Sequence, residues 1–129
     1  MMKKIMAALI ASTLLLTACG GKSVEINQLN ATGFAAKIQE SGVTVLDVRR
    51  PDEFAAGHIP GAININVEDS AFKSEISKLD KSGTYAIYCH SGRRSMIAAN
   101  EMAGNGFTKL FNLTNGINEW IASSGPLTR

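Results

Sequence analysis

The chain has 129 residues, with 13 basic against 11 acidic side chains and a formal net charge of +2. The excess comes from Lys3 and Lys4, and without residues 1–18 a neutral chain of 111 residues remains. A chain of this size is expected to form one domain around a single core. Without a basic stripe, it is not expected to bind nucleic acid.

The first residues have the pattern of an export signal. Lys3 and Lys4 form a basic start, and an apolar run of about a dozen residues follows over residues 5–16. This run is too short for a membrane-spanning helix. Residues 16–19 (Leu-Thr-Ala-Cys) resemble the cleavage box of bacterial lipoproteins. The resemblance implies cleavage before Cys19 and lipidation of that cysteine.

This interpretation divides the chain into three parts. They are a lipoprotein signal peptide over residues 1–18, a lipidated cysteine and tether over residues 19–23, and a folded domain over residues 24–129. Gly20 follows the cysteine, and in lipoproteins of Gram-negative bacteria a residue other than aspartate there favours the outer membrane. We therefore expect an exported protein that is lipid-anchored to a bacterial membrane, on the periplasmic side of the outer membrane. An ordinary secretory signal that happens to contain a cysteine is the alternative.

Short apolar or alternating runs predict five strands, over residues 24–27, 43–48, 63–67, 84–88 and 109–113. Helical patterns lie between and after them, over residues 30–40, 51–56, 72–79, about 95–103 and 117–122. Asn30 or Thr32 can cap the first helix. We expect Met96, Ala99 and Ala103 to form a stripe against the sheet, and Trp120 to anchor the core. Strands that alternate with helices predict one α/β domain, with a mostly parallel five-stranded sheet and helices on both faces.

The fourth predicted strand ends at a cysteine. Cys89 opens a short polar loop, Cys-His-Ser-Gly-Arg-Arg over residues 89–94, and a helix is expected to begin near Ser95. Gly92 allows the backbone to turn tightly. Arg93, Arg94 and a helix N-terminus all stabilise negative charge. This pattern favours a nucleophilic thiolate in an anion-binding loop over a buried structural cysteine, which is the alternative.

The other cysteine and the histidines limit the alternatives. With Cys19 lipidated, Cys89 has no partner for an internal disulfide. His58 and His90 are the only histidines, and no cysteine or histidine pair has metal-ligand spacing. We therefore predict no metal site. His58 is expected to fix the turn over residues 57–62 rather than to contact substrate.

Two opposite charges follow the second predicted strand. Asp47 and Arg49 are two positions apart and so lie on the same face. In parallel sheets, sites form at the carboxyl ends of strands, where Cys89 also falls. Asp47 and Arg49 either support the Cys89 loop or form structural ion pairs with neighbouring groups. We favour the structural role, since charges at strand ends are commonly satisfied locally.

Three motifs in this order resemble the rhodanese family. They are residues 46–49 (Leu-Asp-Val-Arg), residues 52–64 with Asp-Glu-Phe and Gly-His-Ile-Pro-Gly-Ala-Ile-Asn, and the strand that ends in Cys89 with its glycine-arginine loop. The similarity runs from about residue 24 to residue 127. It is greatest to the small single-domain rhodaneses of the bacterial periplasm, here in lipoprotein form.

The resemblance implies a thiosulfate sulfurtransferase without a metal or organic cofactor. Cys89 would take a sulfane sulfur from thiosulfate, or from another persulfide donor, and pass it as a persulfide to cyanide or a thiol. A thiol protein is one such acceptor. The loop amides would cradle the persulfide, and Arg94 or Arg93 would hold the small anionic donor. The implied binding residues are His90, Ser91, Gly92, Arg93, Arg94 and Ser95.

Two other activities are weighed against sulfur transfer. Phosphatases and arsenate reductases of this fold have a longer loop, with arginine at the position that is Ser95 here. The shorter loop, closed by Arg94, favours a sulfur atom over a tetrahedral phosphate. A non-catalytic module that binds a partner or senses redox state is the second alternative, and Cys89 argues against it because such modules usually lack the cysteine.

The sequence departs from the family pattern at two places. His90 follows the cysteine, where many members have arginine, and Asn115-Gly116 replaces a double glycine. His90 either makes the activity sensitive to pH or is a surface residue that points away from the site. Neither departure removes a group that the chemistry needs.

Overall fold

The computed structural model describes residues 23–129, so the predicted signal peptide, Cys19 and most of the tether lie outside the described residues. Residues 23–129 form a sheet of five parallel strands in the order β1-β5-β4-β2-β3. The strands are β1 (Ile26–Leu29), β2 (Val43–Asp47), β3 (Ile63–Asn64), β4 (Thr84–Tyr88) and β5 (Lys109–Leu113). The helices are α1 (Ala31–Gln39), α2 (Pro51–Ala56), α3 (Phe72–Ile76), α4 (Arg93–Gly104) and α5 (Gly116–Ala122). None of these helices is both long and apolar enough to span a membrane.

Successive side chains of the central strands point to opposite faces of the sheet and enter two separate cores. On one face, Val45 and Tyr88 pack with Phe34 of α1 and Trp120 of α5. On the other face, Leu46 packs in a cluster that includes residues of α3 and α4. The central strands β2 and β4 are apolar along most of their length because helices cover both faces. The predicted α/β fold, with helices on both faces, is confirmed.

Local signals set several element boundaries. Asn30 caps α1, since its Oδ1 accepts a hydrogen bond of 2.8 Å from the amide of Gly33. Pro51 lies in the first turn of α2, where a missing amide hydrogen breaks no helical hydrogen bond. The bounds of α2, β4 and β5 agree with the prediction.

The boundaries differ from the prediction at the two edge strands. β1 covers Ile26–Leu29 rather than residues 24–27, because its register on β5 starts at Ile26. β3 covers only Ile63–Asn64 rather than residues 63–67. After β2 has ended, the amide of Val67 bonds to the carbonyl of Val48 outside the regular ladder. Edge strands have one pairing partner, so that partner decides where they stop.

Two helices of the α3–α4 face also differ from the prediction. α3 ends at Ile76 rather than at residue 79, and α4 begins at Arg93 rather than near Ser95. The predicted stripe on α4 is wrong in part, because the buried residues are Ser95, Ala98, Ala99 and Met102. Because alanines occur on more than one side of α4, residue size alone does not select the side that is buried. Packing against β4 and β5 decides which side faces the sheet.

Trp120 anchors the core as predicted. Its side chain is buried, and its ring meets Phe34 edge to face with centroids 6.2 Å apart. Its Nε1 donates to the carbonyl of Pro126 at 2.9 Å. A Cβ at Gly125 would overlap the indole ring, so the chain after α5 passes directly against the tryptophan. These contacts fix the C-terminal residues to the domain.

Candidate active site

Cys89 follows β4 and lies at the bottom of the loop over residues 89–94. Its side chain is 1% exposed and belongs to the core on the α3–α4 face of the sheet. Gly92 turns the loop into α4 with a φ of 101°, in the left-handed region. A Cβ at Gly92 would overlap the carbonyl oxygen of Thr114, just after β5. Glycine is the residue that allows both the left-handed φ and the close approach to Thr114. The loop is therefore packed tightly against the end of β5.

Two groups contact the sulfur, one in the loop and one in the first turn of α4. The amide of Gly92 donates to Cys89 Sγ at 3.1 Å. Ser95 Oγ lies 3.4 Å from Sγ and donates to the carbonyl oxygen of Gly92 at 3.1 Å. The thiol therefore donates its own hydrogen to Ser95. If the thiol ionises, rotation of the Ser95 hydroxyl allows it to donate to the sulfur, which then has two donors.

Further backbone amides around the turn into α4 are unpaired in the described part of the chain. Within residues 23–129, no hydrogen-bond acceptor is assigned to the backbone amides of His90, Ser91, Arg93, Arg94 and Ser95. The first turn of a helix leaves its amides unpaired and adds the positive end of the helix dipole. Of the implied binding residues, Gly92 and Ser95 thus contact the sulfur of Cys89.

The start of α5 supports the loop from behind. The amide of Ile117 donates to the carbonyl oxygen of Cys89 at 2.9 Å. Gly116 has a φ of 64°, and a Cβ there would overlap the carbonyl of His90. Asn115 has an ordinary φ of −105°. Of the two positions that are glycine in many family members, only Gly116 therefore requires glycine here.

The two arginines of the loop have different environments. Arg94 forms a bidentate pair with Glu53, in which Nη1 and Nη2 donate to the two carboxylate oxygens at 2.7 Å and 3.0 Å. The hydrogen bonds from Arg94 lower the pKa of Glu53 to about 2. The same hydrogen bonds raise the pKa of Arg94. Arg93 is exposed and makes no ion pair within the described part of the chain.

Glu53 is a residue of the site that the sequence pattern does not identify. It appears in the sequence only as an acidic residue in the second family motif, at the start of a helix. It is 41 positions from Arg94, and the two meet because α2 and α4 both begin at the carboxyl edge of the sheet. Its place in that motif is a signal that could have drawn attention to it, but the motif does not name Arg94 as its partner.

Asp47 and Arg49 form an ion pair with each other, rather than the expected ion pairs with neighbouring groups. Arg49 Nη2 lies 2.7 Å from Asp47 Oδ2 and also donates to the carbonyl of Gly57 at 2.8 Å. Both side chains are buried. Burial by itself lowers the pKa of Arg49, but the hydrogen bonds and charge of Asp47 outweigh it and raise that pKa. Burial and the nearby Asp47 carboxylate raise the pKa of Tyr88, whose hydroxyl accepts from the amide of Ile59.

The two histidines lie in different surroundings. His58 Nδ1 lies 2.8 Å from the carbonyl oxygen of Phe54, and the two rings stack with centroids 3.6 Å apart. The backbone of His58 also exchanges two hydrogen bonds of 2.9 Å with Thr128. These contacts are structural, as expected, although they hold α2 and the C-terminal residues rather than the turn alone. His90 is exposed, at the mouth of the loop.

A pocket of about 300 Å³ lies beside the loop, between α2 and α5. Its lining consists of Arg49, Glu53, Ala56, Gly57, His90, Ile117, Asn118, Ile121 and Leu127. Among residues 23–129, no group of three or more histidine, cysteine or acidic side chains is placed to hold a metal ion. The groups that contact the thiol are the amide of Gly92 and the hydroxyl of Ser95.

Comparison with known proteins identifies the family of the chain. Residues 30–123 match the rhodanese-like domain family. The thiosulfate sulfurtransferase GlpE of Ectopseudomonas mendocina is 30% identical over 89 residues, which are 69% of this chain and 80% of GlpE. YrkF of Bacillus subtilis is 32% identical over 100 residues, and the chain spans only about half of its length, 53%.

A solved structure shows the same fold. The crystal structure of a rhodanese-related protein from Thermoplasma volcanium superimposes with a TM-score of 0.69 at 30% sequence identity. The match covers 79% of this chain and 97% of that protein. The family match over residues 30–123 includes the cysteine loop and the motifs described above. The chain is thus a member of the rhodanese-like domain family.

Proposed function

We propose that the protein is a sulfurtransferase that moves a sulfane sulfur through a persulfide on Cys89. The donor is thiosulfate or another persulfide donor, and the acceptor is cyanide or a thiol, including the thiol of a protein. One observation carries the proposal: the Gly92 amide donates to Cys89 Sγ at 3.1 Å, and the neighbouring amides at the turn into α4 are unpaired among residues 23–129. Family membership and the activity named for GlpE support it.

In the first step, the Cys89 thiolate attacks the outer sulfur of thiosulfate. A new sulfur–sulfur bond forms on Cys89, the sulfur–sulfur bond of thiosulfate breaks, and its electron pair leaves with sulfite. The products are a Cys89 persulfide anion and sulfite, so charge is conserved. The unpaired amides at the turn into α4 would stabilise the anion on the outer sulfur.

In the second step, the acceptor attacks the outer sulfur of the persulfide. Cyanide forms a carbon–sulfur bond and leaves as thiocyanate, while the electron pair of the broken sulfur–sulfur bond returns to Cys89. A thiol acceptor reacts in the same way and becomes a persulfide. Neither step needs a metal or an external oxidant.

We also propose that the protein is exported and lipid-anchored through Cys19. This proposal rests on residues 1–19 of the sequence alone. Replacement of Cys19 by serine is expected to release the protein from the membrane fraction. Continued association of Cys19→Ser with membranes would contradict the lipid anchor and leave the sulfurtransferase proposal untouched.

The direct test of the activity is the mass of the protein after exposure to thiosulfate. The protein is expected to gain one sulfur atom and to lose it on addition of cyanide, with release of thiocyanate. Cys89→Ser is the matched control, because serine preserves the shape of the side chain but is a far weaker nucleophile. A folded protein that gains no sulfur from thiosulfate or an organic persulfide would refute the proposal and favour a binding module.

A further inference from the structure

Arg94, which closes the cysteine loop, is occupied by a carboxylate. Its two terminal nitrogens are both bonded to Glu53, and each of the two side chains is only 19% exposed. Bidentate pairs of this kind combine two charge-assisted hydrogen bonds in a fixed geometry. A ligand that approaches Arg94 therefore meets a guanidinium whose charge is already neutralised by Glu53.

The charged side chains around Glu53 do not restore the positive charge that Arg94 loses to this carboxylate. Arg50 lies 3.6 Å from Glu53, but it also lies 3.5 Å from Asp52 and 3.9 Å from Glu68. With Arg94 included, this cluster contains two arginines and three carboxylates, so its formal charge is negative. Arg93 is the one loop arginine without an ion pair among residues 23–129.

The formal charge around Arg94 affects which sulfur donors the loop favours. Thiosulfate is a dianion, and it approaches a thiolate next to a cluster without a positive surplus. An organic persulfide has at most one negative charge on its sulfur and needs less compensation from the protein. Because Arg94 holds the pKa of Glu53 at about 2, the carboxylate stays charged at every pH where the protein is expected to work.

We propose that Glu53 is a specificity-determining residue, which neutralises Arg94 and biases the loop away from dianionic sulfur donors and toward organic persulfides. Glu53 acts through Arg94 rather than on the reacting atoms. The inference rests on the proposed sulfurtransferase function and names the donor class for the same site.

The favoured reaction conserves atoms and electrons. The Cys89 thiolate attacks the outer sulfur of an organic persulfide, R–S–SH, and a new sulfur–sulfur bond forms. The original sulfur–sulfur bond breaks, and its electron pair leaves with the thiolate R–S⁻. The proton stays on the transferred sulfur, so the product is a Cys89 hydropersulfide.

Replacement of Glu53 by glutamine tests the inference, since glutamine preserves size and one hydrogen-bond acceptor but removes the charge. KM is measured for thiosulfate and for the persulfide of 2-mercaptoethanol, whose organic part is uncharged. We expect KM for thiosulfate to fall about fivefold in Glu53→Gln, equivalent to about 1 kcal/mol. We expect KM for the persulfide to change less than about twofold.

Three further variants separate specificity from folding. Glu53→Asp retains the charge and is expected to keep the donor preference of the original protein. In Glu53→Gln/Arg94→Ala, the gain for thiosulfate should disappear, because the gain requires the released guanidinium. Glu75→Gln removes a remote surface ion pair with Lys78 and is the matched control. Thermal melting shows that each variant is folded.

The outcomes distinguish the inference from the proposed function. An unchanged or raised KM for thiosulfate in folded Glu53→Gln would overturn the inference, and so would a gain that survives the removal of Arg94. If neither donor loads Cys89 in the original protein, the proposed function fails and the inference fails with it. Loading by both donors without a shift in Glu53→Gln refutes the inference alone.

Discussion

Replacement of Gly92 by alanine should affect both the stability of the domain and the reactivity of Cys89. The left-handed φ of 101° costs a residue with a Cβ about 1–2 kcal/mol. The Cβ would also overlap the carbonyl oxygen of Thr114, and displacing packed atoms costs a further 1–3 kcal/mol or so. We therefore expect Gly92→Ala to lower the free energy of unfolding by about 2–5 kcal/mol, measured by urea denaturation.

The chain offers two matched glycine controls. Gly61 has a φ of 83° but no atom within 4 Å of the position that a Cβ would take, so Gly61→Ala should lose only about 1–2 kcal/mol. Gly104 has neither a left-handed φ nor an atom within 4 Å of the position of a Cβ. Gly104→Ala should therefore be neutral or stabilising by up to about 1 kcal/mol. The difference between Gly92→Ala and Gly61→Ala isolates the overlap with Thr114.

The same change should slow sulfur loading. A shift of the loop at Gly92 moves its amide away from Cys89 Sγ, and loss of one donor to a developing anion typically slows a reaction about 100-fold. The rate of persulfide formation, followed by mass, measures this effect at a temperature where the variant is folded. If Gly92→Ala were as stable as Gly61→Ala and loaded sulfur at an unchanged rate, then neither the overlap with Thr114 nor the role of the Gly92 amide would hold.

Two other changes test the ion pairs. Asp47→Asn leaves Arg49 buried without its carboxylate, and we expect a loss of about 3–5 kcal/mol in urea denaturation; a loss below about 1 kcal/mol would mean that water or another group compensates the arginine. The pKa of Glu53 is about 2 in the folded protein and near 4.5 in an unfolded chain, so the stability it contributes is complete above about pH 4.5 and is lost as pH falls toward 2. The original protein should therefore exceed Glu53→Gln in free energy of unfolding by more at about pH 7 than at about pH 3. A difference that stays constant as pH falls would contradict the pairing of Glu53 with Arg94.

Much of the fold follows from local patterns. The apolar run of β2 and β4, the proline at the start of α2 and the cap at Asn30 are all encoded within a few residues, and the structure agrees with them. The edge strands β1 and β3 were less predictable, because their ends depend on the length of a neighbouring strand. The buried face of α4 was predicted correctly only in part, since its small residues allow more than one orientation on the sheet.

In the site, too, some features follow from local sequence and others only from the folded structure. Local sequence was enough to predict that Cys89 follows a strand, that it opens a glycine-containing loop and that a helix comes after this loop, because these features are contiguous in the chain. The packed fold was needed to show that Glu53 holds Arg94, that Asp47 holds Arg49 and that Gly116 supports the loop. Charge patterns in a sequence do not name partners, since a carboxylate selects its arginine by distance in the folded chain. That distance depends on how α2, α4 and α5 are placed at one edge of the sheet.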